Sequence, residues 1–101
     1  MYEVRQTVEF EEWLSALRDQ TGRGIIVRRL SRIEHGNFGD SKSVGDGVSE
    51  LRFFIGPGYR VYYTVRGGVV VFLLIGGDKD TQDRDIAKAK ELAGKLPEQQ
   101  S

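Results

Sequence analysis

The stretch from Gly47 to Ile75, GVSELRFFIGPGYRVYYTVRGGVVVFLLI, does most to limit the fold. It reads as three closely spaced strands, Val48 to Ile55, Tyr59 to Arg66 and Val69 to Ile75. Gly56-Pro57-Gly58 is a tight turn, and Gly67-Gly68 is a two-residue hairpin, because both glycines tolerate positive φ. The last strand is apolar throughout, as expected of a strand covered on both faces. The result is an antiparallel meander.

Side chains alternate along a strand. Leu51, Phe53 and Ile55 therefore share one face, and Glu50, Arg52 and Phe54 the other. In the next strand Tyr59, Val61, Tyr63 and Val65 oppose Arg60, Tyr62, Thr64 and Arg66. The apolar sets must meet the helices. Arg52, Arg60, Tyr62 and Arg66 are then expected on a solvated side, where arginines bind phosphate and aromatic rings stack on splayed bases.

The flanking segments read as helices. Phe10, Trp13, Leu14 and Leu17 recur at i, i+3, i+4, i+7 after Thr7, a candidate N-cap. A short strand, Tyr2 to Gln6, precedes them. A second helix turns Ile26, Leu30 and Ile33 inward and Arg28, Arg29 and Arg32 outward, and Gly36 ends it as a left-handed cap. Asn37 to Gly47 reads as a polar, Gly-rich turn or loop. Gly76-Gly77 releases the chain from the sheet. Asp80 or Thr81 caps a final helix with Ile86, Ala89, Ala93 and Leu96 inward, and Pro97 stops it. The expected fold is α+β, in the order β-α-α-β-β-β-α, with helices on one face of an antiparallel sheet.

A chain of 101 residues without an internal linker is expected to be one domain spanning 1–101. Without cysteine it has neither a disulfide framework nor a thiolate metal site. The longest apolar run, Val69 to Ile75, is seven residues, too short for a membrane span. The N-terminus lacks a signal peptide's apolar core, so a cytoplasmic location with no membrane partner is expected. The net charge is zero, but it is unevenly spread: −3 over residues 1–21, +4 over 22–66 and −1 over 67–101. The central excess is arginine except for Lys42, and arginine's planar fork suits phosphate.

Three patterns are set aside. Asp78, Asp80, Asp83 and Asp85 miss the calcium-loop spacing and read as capping and solvation, so no metal is expected. The Gly-rich segments fit neither phosphate-loop fingerprint. His35, the only histidine, reads as a helix C-terminal residue, which leaves no Ser-His-Asp set.

Several runs together carry a resemblance: Gly47 to Arg52, Gly56 to Tyr63, and Leu74 to Lys79 with Gln82, Asp85-Ile86 and Ala89. Asn37 to Asp40 adds to it. The chain resembles the RelE/ParE superfamily of toxins, and within it the HigB-like addiction module killer group. The resemblance implies a RelE-like fold and the toxin of a type II toxin–antitoxin pair. It implies a cognate helix-turn-helix antitoxin and a metal-independent endoribonuclease without cofactor, cutting mRNA on the ribosome. A ParE-like gyrase inhibitor and a non-catalytic binding relative are the alternatives. Arg60 matches the superfamily's hairpin arginine, and Lys79 a basic position after the last strand. Arg60 and Arg52 are expected to hold the scissile phosphate, with Lys79 as third catalytic residue. Arg66, Tyr62, Gln82, Arg28, Arg29 and Arg32 are expected to contact RNA. The C-terminal histidine or tyrosine frequent among such toxins has no counterpart here, so no general base is named.

Overall fold

The computed structural model describes residues 1–97. Strand β1 (Glu3–Gln6) is followed by helices α1 (Val8–Ala16) and α2 (Gln20–Ile33). Strands β2 (Ser41–Gly45), β3 (Val48–Arg52), β4 (Tyr59–Arg66) and β5 (Val70–Asp78) follow, and helix α3 (Gln82–Gly94) closes the chain. One turn of 3₁₀ helix, Lys79–Thr81, joins β5 to α3. The sheet order is β1-β5-β4-β3-β2, with β1 parallel to β5 and every other pair antiparallel.

Local chemistry explains the helix starts. The Thr7 hydroxyl accepts from the Phe10 N–H, and the Asp19 carboxylate from the Gly22 N–H, so each relieves an orphan donor of a first turn. Gly36 takes φ +84 just beyond α2, as a left-handed cap requires.

The alternation along β3 and β4 holds, but its expected consequence does not. Leu51, Phe53, Tyr59, Val61, Tyr63, Val71 and Leu73 form one core with Phe10 of α1 and Ile26, Leu30 and Ile33 of α2. The opposite face is not solvated. Val48, Tyr62 and Leu74 pack there against Ala89, Leu92 and Ala93 of α3. Helices therefore cover both faces, because α3 carries its own apolar stripe and the sheet offers it an apolar half-face. Tyr62 reaches this second core by the alternation of β4, while an irregularity in the β4–β5 register leaves Leu74 without a partner on β4 and places both Leu74 and Ile75 on this face.

Two further expectations are corrected. The segment expected as loop contains β2, which pairs with β3 through a turn at Asp46 and Gly47, both at positive φ. Gly76 and Gly77 do not release the chain. They lie inside β5, paired with Val61 and Arg60. A Cβ on Gly76 would fall inside the Trp13 ring, and one on Gly77 would fall on the Asp85 carboxylate. The two glycines let a helix from each side approach the strand.

Gly76→Ala is expected to lower stability by about 1–3 kcal/mol, because Trp13 must leave its seat. Urea denaturation measures this. A midpoint equal to the parent's would mean that the indole moves aside without cost.

Candidate functional site

The turn between β3 and β4 is closed by two backbone bonds. Phe53 N–H donates to the Tyr59 carbonyl at 3.0 Å, and Gly58 N–H to the Ile55 carbonyl at 2.9 Å. Gly56 and Gly58 take φ +52 and +78, which other residues rarely adopt. The buried Tyr59 donates its hydroxyl to Asp19 Oδ2 at 3.0 Å, while Asp19 Oδ1 accepts the Gly22 N–H at 2.9 Å. One carboxylate thus fastens this turn to the start of α2. These bonds hold Asp19 below its ordinary range, the backbone N–H first and Tyr59 second. Burial, and then Asp19, push Tyr59 up.

Beside the turn lies an open cleft of about 490 Å³. Its lining is Phe54, the Ile55–Gly58 turn, Arg60, Lys79 and Asp80. Arg60 stands on β4 directly opposite Gly77 of β5 and Arg52 of β3. Only 8% of it is exposed. Its Nη1 donates to the carbonyls of Gly58 at 2.9 Å and Tyr59 at 3.1 Å, and its Nε is buried without a partner. Among the described residues, no carboxylate lies within 4.0 Å of it. The aliphatic stem of Lys79 and Arg60 Nη1 both lie beside Gly58, and both residues line the cleft.

An unpaired guanidinium at this depth is costly, because its lost hydration is replaced by two carbonyls only. An anion entering the cleft would supply the missing charge. Among the described residues, Asp80 is the one carboxylate in the lining. Behind Arg60 the sheet and α3 enclose further polar groups. Asp85, 4% exposed, accepts from the Thr81 hydroxyl at 2.5 Å, and buried Glu50 accepts from the Gln82 amide at 3.2 Å.

Of the residues expected to form the site, Arg60 and Lys79 meet in the cleft. Arg52 does not line it. Its guanidinium is held by Asp40, with Nη2 at 2.8 Å and Nε at 3.3 Å from the same oxygen, and this partner raises its pKa. It lies 5.8 Å from the ring centroid of Phe54, which does line the cleft. The expectation that Arg52 and Arg60 emerge together from a solvated face is thus corrected: α3 covers that face, and Asp40 engages Arg52.

Tyr62 cannot stack on a base, because it is fully buried under α3 with its hydroxyl unpartnered. Burial, then Glu50, keep its phenol far above the ordinary value, so it stays protonated. Arg66 lies six residues beyond Arg60, about 20 Å along the strand. It donates to the Ala93 carbonyl at 2.8 Å and so caps α3. Gln82 is occupied by Glu50. Arg28 and Arg32 are exposed on α2, across the sheet from α3. Arg29 lies over the Phe53 ring at 4.1 Å, and burial lowers its pKa.

Phe54 and Asp80 were not singled out from sequence. Phe54 is the residue just before the turn, and it falls on the same side of the strand as Arg52. Asp80 or Thr81 was expected to cap α3: Thr81 occupies that N-cap position without a side-chain hydrogen bond, while Asp78 caps the preceding 3₁₀ turn by accepting the Asp80 N–H at 2.9 Å.

A family model described as "Phage derived protein Gp49-like (DUF891)" matches residues 12–96. A Haemophilus influenzae protein described as uncharacterized is 50% identical over 94 residues, covering 93% of this chain and 95% of the relative. Among solved structures, a doubly arginine-to-alanine substituted E. coli toxin RelE in the free state aligns with a TM-score of 0.68. The identity there is 19%, covering 89% of this chain and 96% of that one, and the likeness shows that the fold is that of RelE.

Tyr62→Phe is expected to unfold at the same urea midpoint as the parent or a higher one, since it removes an unpartnered buried hydroxyl. A loss above about 1 kcal/mol would show that the hydroxyl is bonded. Asp19 has a depressed folded-state pKa, so its stabilisation is present above about pH 4, its unfolded value, and fades as pH falls through the folded value. Asp19→Asn should therefore melt below the parent at neutral pH, with the gap closing in acid. A gap independent of pH would remove the ionised carboxylate from the account.

Proposed function

The chain belongs to the phage-derived Gp49-like family, and from that membership and the cleft we propose that it is the toxin of a type II toxin–antitoxin pair. It acts as a HigB-like, metal-independent endoribonuclease that cuts mRNA on the ribosome, in the cytoplasm. A helix-turn-helix antitoxin neutralises it. The observation that carries this reading is Arg60: a buried guanidinium with no carboxylate partner among the described residues, opening beside Lys79 into a cleft. A phosphodiester supplies what such a group lacks, an anion whose two non-bridging oxygens can accept from the planar guanidinium fork.

The chemistry is an internal attack. The 2′-oxygen bonds to phosphorus as the bond from phosphorus to the 5′-oxygen breaks. The products are a 2′,3′-cyclic phosphate and a free 5′-hydroxyl. Arg60 binds the non-bridging oxygens, where charge accumulates in the transition state. Asp80 takes the proton of the attacking hydroxyl. The Lys79 ammonium, which shares the cleft lining with Asp80, supplies a proton to the leaving oxygen. Holding the attacking and leaving oxygens in line contributes the remainder of the rate.

The other expected residues take outlying roles. Arg52, fixed by Asp40, supports the rim of the cleft at Phe54. Gln82 orients Glu50 behind Arg60. Arg28 and Arg32 lie about 9–15 Å along α2 from Gly22, where they offer backbone contacts to RNA outside the cleft.

Arg60→Ala should reduce cleavage of translated mRNA by about 100-fold or more and relieve growth arrest. Mapping mRNA 5′ ends after induction measures this, with DNA supercoiling scored in the same cells. An Arg60→Ala protein that cuts at the parent's rate would overturn the assignment. Double-strand breaks with intact mRNA would point to gyrase.

A further inference from the structure

Phe54 is an anomaly for a protein with two dry cores. It is 76% exposed, although Leu51 and Phe53 beside it are almost wholly buried. Its position is not loose. The Phe53 N–H bond to Tyr59 and the Gly58 N–H bond to Ile55 close the turn on either side of it. Asp40 holds Arg52, and the Arg52 guanidinium lies over one face of the Phe54 ring, 5.8 Å from its centroid. The opposite face is left for a ligand. The ring also lines the cleft that contains Arg60, Lys79 and Asp80.

A protein partner is a poor fit for this arrangement. The ring's neighbours in the cleft are the half-buried Ile55, the Gly56-Pro57-Gly58 turn and three charged side chains, a small apolar area for a helix to cover. One flat exposed ring beside two cations instead matches one flat base beside a phosphate. Base–aromatic stacking needs an unstacked base, which a duplex does not offer.

We propose that Phe54, backed by Arg52, is the base-stacking platform of the cleft, and that the cleft takes single-stranded nucleic acid with one base laid on this ring and its neighbouring phosphate on Arg60. The inference rests on the nuclease reading for its substrate class and adds the residue that positions that substrate. The closed turn presents the ring in its binding position, so little order is lost when a base arrives. Stacking is tolerant of base identity, and this platform fixes register without selecting sequence.

The test uses a short all-2′-deoxy oligonucleotide, which cannot undergo the internal attack, with fluorescence anisotropy as readout. Phe54→Ala should bind it about tenfold or more weakly than the parent, while Phe54→Trp stays within about twofold. One oligonucleotide in a series with a single abasic site moved along it should bind the parent as weakly as the intact strand binds Phe54→Ala. Thermal melting checks that both variants are folded. Parent-like binding by Phe54→Ala, equal losses in folded Phe54→Ala and Phe54→Trp, or no measurable binding by the parent would each overturn the proposal. The nuclease reading is scored separately. If the parent cuts mRNA and Phe54→Ala binds like the parent, the platform falls and the nuclease stands. If stacking holds and no mRNA is cut, the reverse follows.

Discussion

Helix α3 lying across the second face of the sheet is the contact on which the rest depends. Its small residues, Ala89 and Ala93, with Leu92, let it settle closely over Tyr62, Leu74 and Val48. Gly77 removes the side chain that would otherwise keep Asp85 away. Once α3 is seated, the polar residues of that face lie under a helix. Glu50 finds Gln82, and Thr81 finds Asp85, but among the described residues Arg60 finds only the carbonyls of its own turn. The packing that stabilises the sheet thus leaves one cation short of a partner, at the point where the sheet opens to solvent.

The same glycines serve fold and site. Gly76 and Gly77 have no side chain because Trp13 and Asp85 approach β5 from its two sides. Gly58 is required by its φ of +78, which keeps the turn tight beside Arg60 and Lys79. Asp19 joins the two halves by capping α2 and holding Tyr59, the residue between the turn and Arg60. Stability and the shape of the cleft therefore draw on neighbouring residues.

Much of this was legible in the sequence, because the strands from Val48 to Ile75 are punctuated by glycines, the first two alternate and the third is apolar throughout. The apolar stripes of the three helices were legible for the same reason, and the resemblance pointed to Arg60 and Lys79. Strand β2 was missed because Ser41 to Gly45 is polar, as an edge strand can be. The Asp46-Gly47 pair, a favoured hairpin turn, was the signal that could have shown it. The second core was missed because periodicity says which residues share a face and not whether that face is covered. Arg60, Tyr62 and Arg66 have the same parity, yet one lines a cleft, one is buried and one caps a helix. Position along the strand relative to α3 separates them, and that position is tertiary information.

The central claim is that Arg60 is an anion site completed by a phosphate. The most direct measurement follows the Arg60 Nε–Hε resonance by NMR while the protein is titrated with a 2′-deoxy dinucleotide. The account predicts a saturable shift and slowed solvent exchange at Arg60, with small changes at Arg28 and Arg32. An Arg60 signal that does not move while the surface arginines respond would contradict it.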